Sequence, residues 1–151
     1  FYKNGIFDLY ATATYTDAAI TDARNSAGVA NSALIGNQPQ RQARLIWAVT
    51  PSVNLDQVRL SASWIGTGDS FANDANTLTQ KGYSVVHLTG AVNLTDNLEF
   101  SLNVNNLFDK AGITESANDG RESLFTGAPN TVTIGRSIQG RTMAANVRFK
   151  F

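Results

Sequence analysis

Apolar and polar residues alternate along six stretches of this chain, the period-2 pattern of a β-strand with one apolar and one polar face. In the first, Phe7, Leu9, Ala11, Ala13 and Tyr15 alternate with Asp8, Tyr10, Thr12 and Thr14. The second sets Ala43, Leu45, Trp47 and Val49 against Arg44, Ile46 and Ala48, and the third sets Val58, Leu60, Ala62 and Trp64 against Arg59, Ser61 and Ser63. The fourth opposes Val86, Leu88, Gly90 and Val92 to His87, Thr89 and Ala91. The fifth is the cleanest, with Leu98, Phe100, Leu102 and Val104 facing away from Glu99, Ser101 and Asn103. The last carries Met143, Ala145, Val147, Phe149 and Phe151 against Ala144, Asn146, Arg148 and Lys150. No apolar-face position is charged, although charged residues make up 16% of the chain. The pattern predicts antiparallel strands over residues 5–16, 41–50, 57–65, 83–94, 97–107 and 140–151, forming one curved sheet.

Alternation alone fits a soluble β-sandwich as well as a membrane barrel. Strand length and connections separate the two. The strands run about 8 to 11 residues, longer than the roughly 5 to 6 of globular sheets and close to the 9 to 11 that cross a bilayer at a tilt. Short connections (Pro51 to Gln57, and the turn at Thr95, Asp96 and Asn97) alternate with long ones over residues 16–40, 66–82 and 108–139. Brief turns at one end and extended loops at the other mark outer-membrane barrels, and a compact soluble domain rarely holds three such loops. The loops are rich in Asn, Asp, Gly, Ser and Thr, as in Asp69 to Asn76, and are expected to be mobile and solvated. Tyr15 and Trp64 fall at the long-loop rim, and Phe7, Phe100, Phe149 and Phe151 near the short-turn rim, as a girdle would place them. Asn4-Gly5 signals a hairpin with only Phe1 and Tyr2 before it, which predicts a strand continuing upstream. Six strands are also too few to close a membrane barrel, for which about eight is the lower limit, so the chain reads as a fragment.

Composition narrows function chiefly by exclusion. No segment approaches the roughly 20 apolar residues of a spanning helix, which excludes a helical membrane protein. No signal-peptide pattern opens the chain, leaving a cytoplasmic protein or one whose beginning lies upstream. Twelve basic residues balance twelve acidic ones with no basic cluster, an arrangement unsuited to nucleic acid. Cysteine is absent, and no phosphate loop, nucleophile elbow or metal-spaced cluster is present, so neither catalysis nor a cofactor is expected. The single histidine, His87, sits on a polar strand face without an acidic neighbour in sequence and is read as structural. Thr114-Glu115-Ser116 and Asp119-Gly120-Arg121-Glu122 gather charge in the last long loop, read as solvated loop charges.

Two stretches resemble a known family. Val104-Asn105-Asn106-Leu107-Phe108-Asp109-Lys110 is similar to the stretch where the penultimate strand of TonB-dependent receptors leaves the membrane. Gly140-Arg141-Thr142 and the strand ending Phe149-Lys150-Phe151 resemble that family's closing strand with its terminal aromatic. Weaker echoes lie in Tyr15-Thr16-Asp17-Ala18 and in Gly82 to Leu88, where the family often carries Asp at the position of His87.

The resemblance implies the last six strands of a 22-stranded barrel around an N-terminal plug that this chain lacks. It further implies a multi-pass protein of the bacterial outer membrane that takes up a scarce nutrient, foremost a ferric siderophore. Its partners would be outer-membrane lipid, the barrel-assembly machinery and TonB, reached through the missing plug region. The site residues it implies are Asn105, Asn106, Leu107, Phe108 and Asp109 as the family motif and Phe151 as an assembly signal, while ligand residues stay unnamed. Alternatives that remain are a passive porin or autotransporter barrel, and a soluble carbohydrate-binding β-sandwich.

Overall fold

The computed structural model describes residues 1–116 and 135–151. Its main sheet has seven strands: β1 (Tyr2–Asn4), β2 (Phe7–Tyr15), β3 (Leu45–Asn54), β4 (Val58–Thr67), β7 (Tyr83–Thr95), β8 (Leu98–Asn105) and β11 (Thr142–Phe149). They lie in that order, each antiparallel to the next. The six expected strands are therefore consecutive neighbours in one sheet, and β1 is the strand that the Asn4-Gly5 signal called for. Gly5 takes φ +61° in that turn, a conformation that a side chain would disfavour. Two small hairpins stand apart in the long connections, β5 (Ser70–Phe71) with β6 (Thr79–Gln80), and β9 (Ile113–Ser116) with β10 (Gly135–Ser137). The only described helix is a single 3-10 turn, Ser32–Leu34. No second sheet packs face to face on the first among the described residues, and the sheet is an open segment of an antiparallel barrel wall.

Two boundaries, both of β3, depart from expectation by more than two residues. Residues 41–44 are not strand: Arg41 sits at φ +62° and donates its backbone N–H to Phe71 O at 2.7 Å, which diverts the chain toward the β5–β6 hairpin. At its other end β3 runs through Pro51, which was expected to begin the turn. Pro51 pairs with Leu9 in β2. The β3–β4 ladder passes over Thr50 and Pro51 and resumes in register at Ser52 opposite Ser61. A proline has no N–H to give the ladder, so the local cost is one missing bond and not the end of the strand. The turn falls instead at residues 55–57, closed by Leu55 N–H to Val58 O at 2.8 Å.

The ladder fixes which residues share a face, because cross-strand partners point the same way. Leu60 pairs with Val53 and Gly90, Gly90 with Leu102, and Leu102 with Ala145. Leu88 pairs with Ala62 and Val104. By strand alternation Leu45 and Val147 join that same face, as the sequence pattern requires. Arg59, Glu99 and Arg148 stand on the other. Among the described residues the buried apolar ones are Ala43, Ala72, Val85 and Val104, while Leu60, Trp64, Met143 and Val147 are exposed. A water-soluble domain this size would bury far more.

Candidate functional site

The stretch that ends β8 forms a hydrogen-bonded junction with the approach to β11. Asn106 is 3% exposed and left-handed, at φ +50°, a conformation that asparagine tolerates better than most residues. Its Oδ1 accepts the Lys110 N–H at 2.8 Å, and its Nδ2 donates to Lys110 O and Gln139 O, both at 2.9 Å. Asp109, also left-handed, accepts the Arg141 N–H on Oδ1 at 2.7 Å. Asn105 Nδ2 donates to Thr142 Oγ1 at 3.2 Å, and the Leu107 N–H reaches Val86 O at 2.7 Å. Phe108 turns outward, 72% exposed. The two stretches that sequence singled out, 104–110 and 140–142, thus hold one another. The Asn106 and Asp109 side chains are spent on backbone groups of this junction, and the Asn106 amide is buried with both its ends bonded.

The long loops are tied together at the same end of the sheet. Asn73, 1% exposed, accepts the N–H groups of Thr77 and Leu78 on Oδ1 and donates to Thr77 Oγ1 at 2.7 Å. Asn76, left-handed, makes a reciprocal pair with the Gln38 backbone: Nδ2 to Gln38 O at 2.7 Å, and Gln38 N–H to Oδ1 at 2.9 Å. Asp74 Oδ1 accepts the Gln40 N–H at 2.9 Å, and Asn37 Nδ2 donates to Asp74 O at 2.9 Å. The third loop joins through Arg41, 2.7 Å from Glu115, and through Gln80 Nε2, which lies 3.2 Å from the carbonyls of Ile113 and Thr114. Ser70, Ala72 and Asn73 are buried, so the segment from Asp69 to Asn76 is packed and not solvated as expected. The Asn73 and Asn76 spacing signals tight turns, but nothing local in the sequence reveals that the partners of Asp74 and Asn76 lie more than thirty residues away.

Beneath this loop layer, on the polar face, a cleft of about 470 Å³ is lined by Thr12, Thr14, Ile65, Thr67, Gln80 and Thr114, among others. Lower on that face Thr50 Oγ1 and Ser63 Oγ lie 2.9 Å apart, and Ser52 Oγ donates to Ser61 Oγ at 3.2 Å. Near the short-turn end Glu99, 12% exposed at its side chain, pairs with both Arg59 and Arg148, the latter at 3.6 Å. Asn54 Nδ2 donates to Asp8 Oδ2 at 2.9 Å, and Asp8 Oδ1 is buried without a partner.

His87 Nδ1 accepts the Asn106 N–H at 3.4 Å, a contact between β7 and the junction. Among the described residues no cluster of His, Cys, Asp or Glu is disposed to hold a metal. Asp69, in the loop after β4, accepts the Gly82 N–H at 2.8 Å and pairs with Lys81 at 2.8 Å; these two bonds, the backbone one first, hold its carboxyl below the usual carboxylate range. Asp119, Gly120, Arg121 and Glu122 lie outside the described residues. Phe149 and Phe151 meet edge to face at 5.2 Å at the end of β11.

A family model for "TonB dependent receptor-like, beta-barrel" matches residues 2–107. No curated protein matches the sequence. Among solved structures, the siderophore receptor PiuA from Acinetobacter baumannii is 21% identical and superposes with a TM-score of 0.76 over 98% of this chain and 20% of its own. The ferric citrate transporter FecA in its unliganded form is 16% identical, with a TM-score of 0.72 over 96% of this chain and 21% of that one. The ferripyoverdine receptor of the outer membrane of Pseudomonas aeruginosa, bound to ferripyoverdine, is 19% identical, with a TM-score of 0.61 over 98% and 18%. The chain therefore spans about a fifth of the length of each of these proteins, and the likeness at such identities is one of fold.

Proposed function

This chain belongs to the TonB-dependent receptor-like β-barrel family, and we propose that it is the C-terminal portion of an outer-membrane receptor for TonB-dependent uptake of a ferric siderophore. The observation that carries the reading is the fit of nearly the whole chain to one fifth of a siderophore receptor's chain. On this reading the remaining strands and the plug lie upstream of residue 1, the exposed apolar face meets lipid, and the polar face lines the lumen against the plug. The loop layer and the cleft beneath it then form one sector of the extracellular mouth. Asn105, Asn106, Leu107 and Asp109 act there as a brace for the closing strand and do not touch ligand. The protein is a carrier and not an enzyme.

Uptake of radioiron-labelled siderophores by iron-starved cells tests the function. Deleting the full-length parent gene should abolish uptake of at least one ferric siderophore, and a protonophore should have the same effect on the wild type. Uptake that survives dissipation of the proton-motive force would identify a passive pore instead. Phe151 acts as the assembly signal read by the barrel-assembly machinery. Its deletion should lower the heat-modifiable, folded fraction in the outer membrane while leaving siderophore affinity on intact cells unchanged. Normal assembly with lost binding would refute that role and place the terminus at the wrong rim.

A further inference from the structure

Near the short-turn end of the polar face, one carboxylate serves two arginines. Arg59 on β4 lies opposite Ala91 on β7, and its guanidinium reaches across that small residue to Glu99 Oε2 on β8. Arg148 on β11 lies directly opposite Glu99, with Nη1 3.6 Å from Oε1, too far for a hydrogen bond. The Glu99 side chain is 12% exposed, whereas those of Arg59 and Arg148 are 56% and 68% exposed.

No other acid relieves the pair. Among the described residues, Asp56 and Asp96 in the two adjoining short turns form no ion pair with either arginine, and Asp8 lies two strands away on β2, opposite Ser52. A guanidinium carries five N–H donors in a rigid plane. Arg59 commits one nitrogen to Glu99 and Arg148 none within hydrogen-bonding distance, so most of the donors stand exposed on the polar face. Two cations on one carboxylate also leave a single positive charge at this point of the wall.

We propose that an aspartate or glutamate side chain, carried by the part of the same polypeptide that fills the lumen, docks onto Arg59 and Arg148 beside Glu99. The docking presupposes the reading of this chain as barrel wall around an upstream plug, and the chain spans only 20% of the PiuA polypeptide. A segment laid against this wall takes both guanidiniums out of water. Covering them with a neutral surface would bury a charge without a counter-ion, which is strongly destabilising, so the covering surface must bring an anion. Arginine suits a carboxylate here, because its planar fork grips one on two parallel N–H bonds. Glu99 holds the arginines in place beforehand, so that less side-chain freedom is lost on docking.

Carbodiimide coupling in the full-length parent tests the contact, since it joins an amine to a carboxylate only where the two touch. Arg59→Lys and Arg148→Lys keep the charge and each place an amine at the site. Peptide mapping of the folded, heat-modifiable band should find the new amine joined to an aspartate or glutamate upstream of residue 1, a product that the wild type lacks. Adding Glu99→Gln to Arg148→Lys removes the competing neighbour, and the yield of the upstream product should then rise. Coupling to Glu99 alone in both single variants overturns the proposal, as does the absence of any upstream product once Glu99 is replaced. A parent reading frame that holds nothing but strands upstream would instead overturn the barrel-and-plug reading beneath it.

Discussion

The two faces of the main sheet are built on opposite terms. On one, Leu45, Leu60, Trp64, Leu102 and Val147 are between 39% and 71% exposed, and the charged strand residues Asp8, Arg59, Glu99 and Arg148 all point the other way. On the other, hydroxyls bond across strands from Thr50 to Ser63 and from Ser52 to Ser61, and Glu99 bridges Arg59 and Arg148. A soluble sheet hides its apolar face and wets its polar one. Here the apolar face is bare and the polar face is bonded across its strands, with Asp8 Oδ1 the exception, an inversion that fits apolar surroundings and enclosed water. The contrast teaches that alternation specifies two solvents, and that the apolar side is the stricter of the two.

The sharpest way to break the comparison is to put the same charge on adjacent positions of β8. If the apolar face meets lipid as proposed, Leu102→Arg, near mid-strand on that face, should cost roughly 2 to 4 kcal/mol, whereas Ser101→Arg on the polar face should cost much less. The readout is the heat-modifiable folded fraction in the outer membrane. Equal losses would refute the facing.

A smaller effect, of either sign, comes from two glycines on the apolar face. A Cβ on Gly66 would lie 2.6 Å from Trp47 Cε2, so Gly66→Ala must swing the ring away and should destabilise by about 1 to 3 kcal/mol. A Cβ on Gly90 would meet Leu60 Cδ1 at 3.6 Å, an ordinary contact. Gly90→Ala should therefore be neutral or stabilise by up to roughly 1 kcal/mol, since glycine weakens a strand interior. The temperature at which the folded gel band is lost compares the two, and tryptophan emission should shift only for Gly66→Ala. A shift in both variants, or in neither, would deny the Trp47 packing.

The strands were legible because their cause is local: a period of two, short turns and a charge-free face are all written in neighbouring residues. The errors lie where a distant partner decides. Residues 41–44 alternate well enough to read as strand, but Arg41 turns away to bond Phe71 in another loop. Pro51 reads as a turn residue, yet the ladder with β2 is intact there and carries it as strand. Asparagine at 73 and 76 signals a turn whether the turn is solvated or packed, so the burial of Asn73 had no local mark. The junction was found by resemblance and not by physics, since Asn106 and Gln139 are joined only once β8 and β11 are paired.

The smallest effect belongs to the polar side, where single bonds in water carry little. Asp69 gains the Gly82 N–H and the Lys81 ammonium, and both favour its charged form, so its folded pKa lies below that of the unfolded chain, about 3.9. For a carboxylate with a lowered pKa, the stabilisation is fully present above the unfolded value and is lost as pH falls through the folded one. The loop base joining Asp69 to Gly82 should therefore hold at neutral pH and loosen only in strong acid. Gly82 makes this contact sensitive, because it packs so near the end of β4 that a Cβ there would lie 2.6 Å from the Gly68 carbonyl carbon. Hydrogen exchange across residues 81–83, corrected for the intrinsic pH dependence, should show protection that declines only below the usual aspartate range. Asp69→Asn should lower the protection at neutral pH and flatten its pH profile, with the folded fraction unchanged. An Asp69→Asn profile that overlays the wild type would show that the carboxylate contributes nothing to this loop, while a fall in folded fraction would show that the polar loop contacts matter to the barrel as much as its apolar face does.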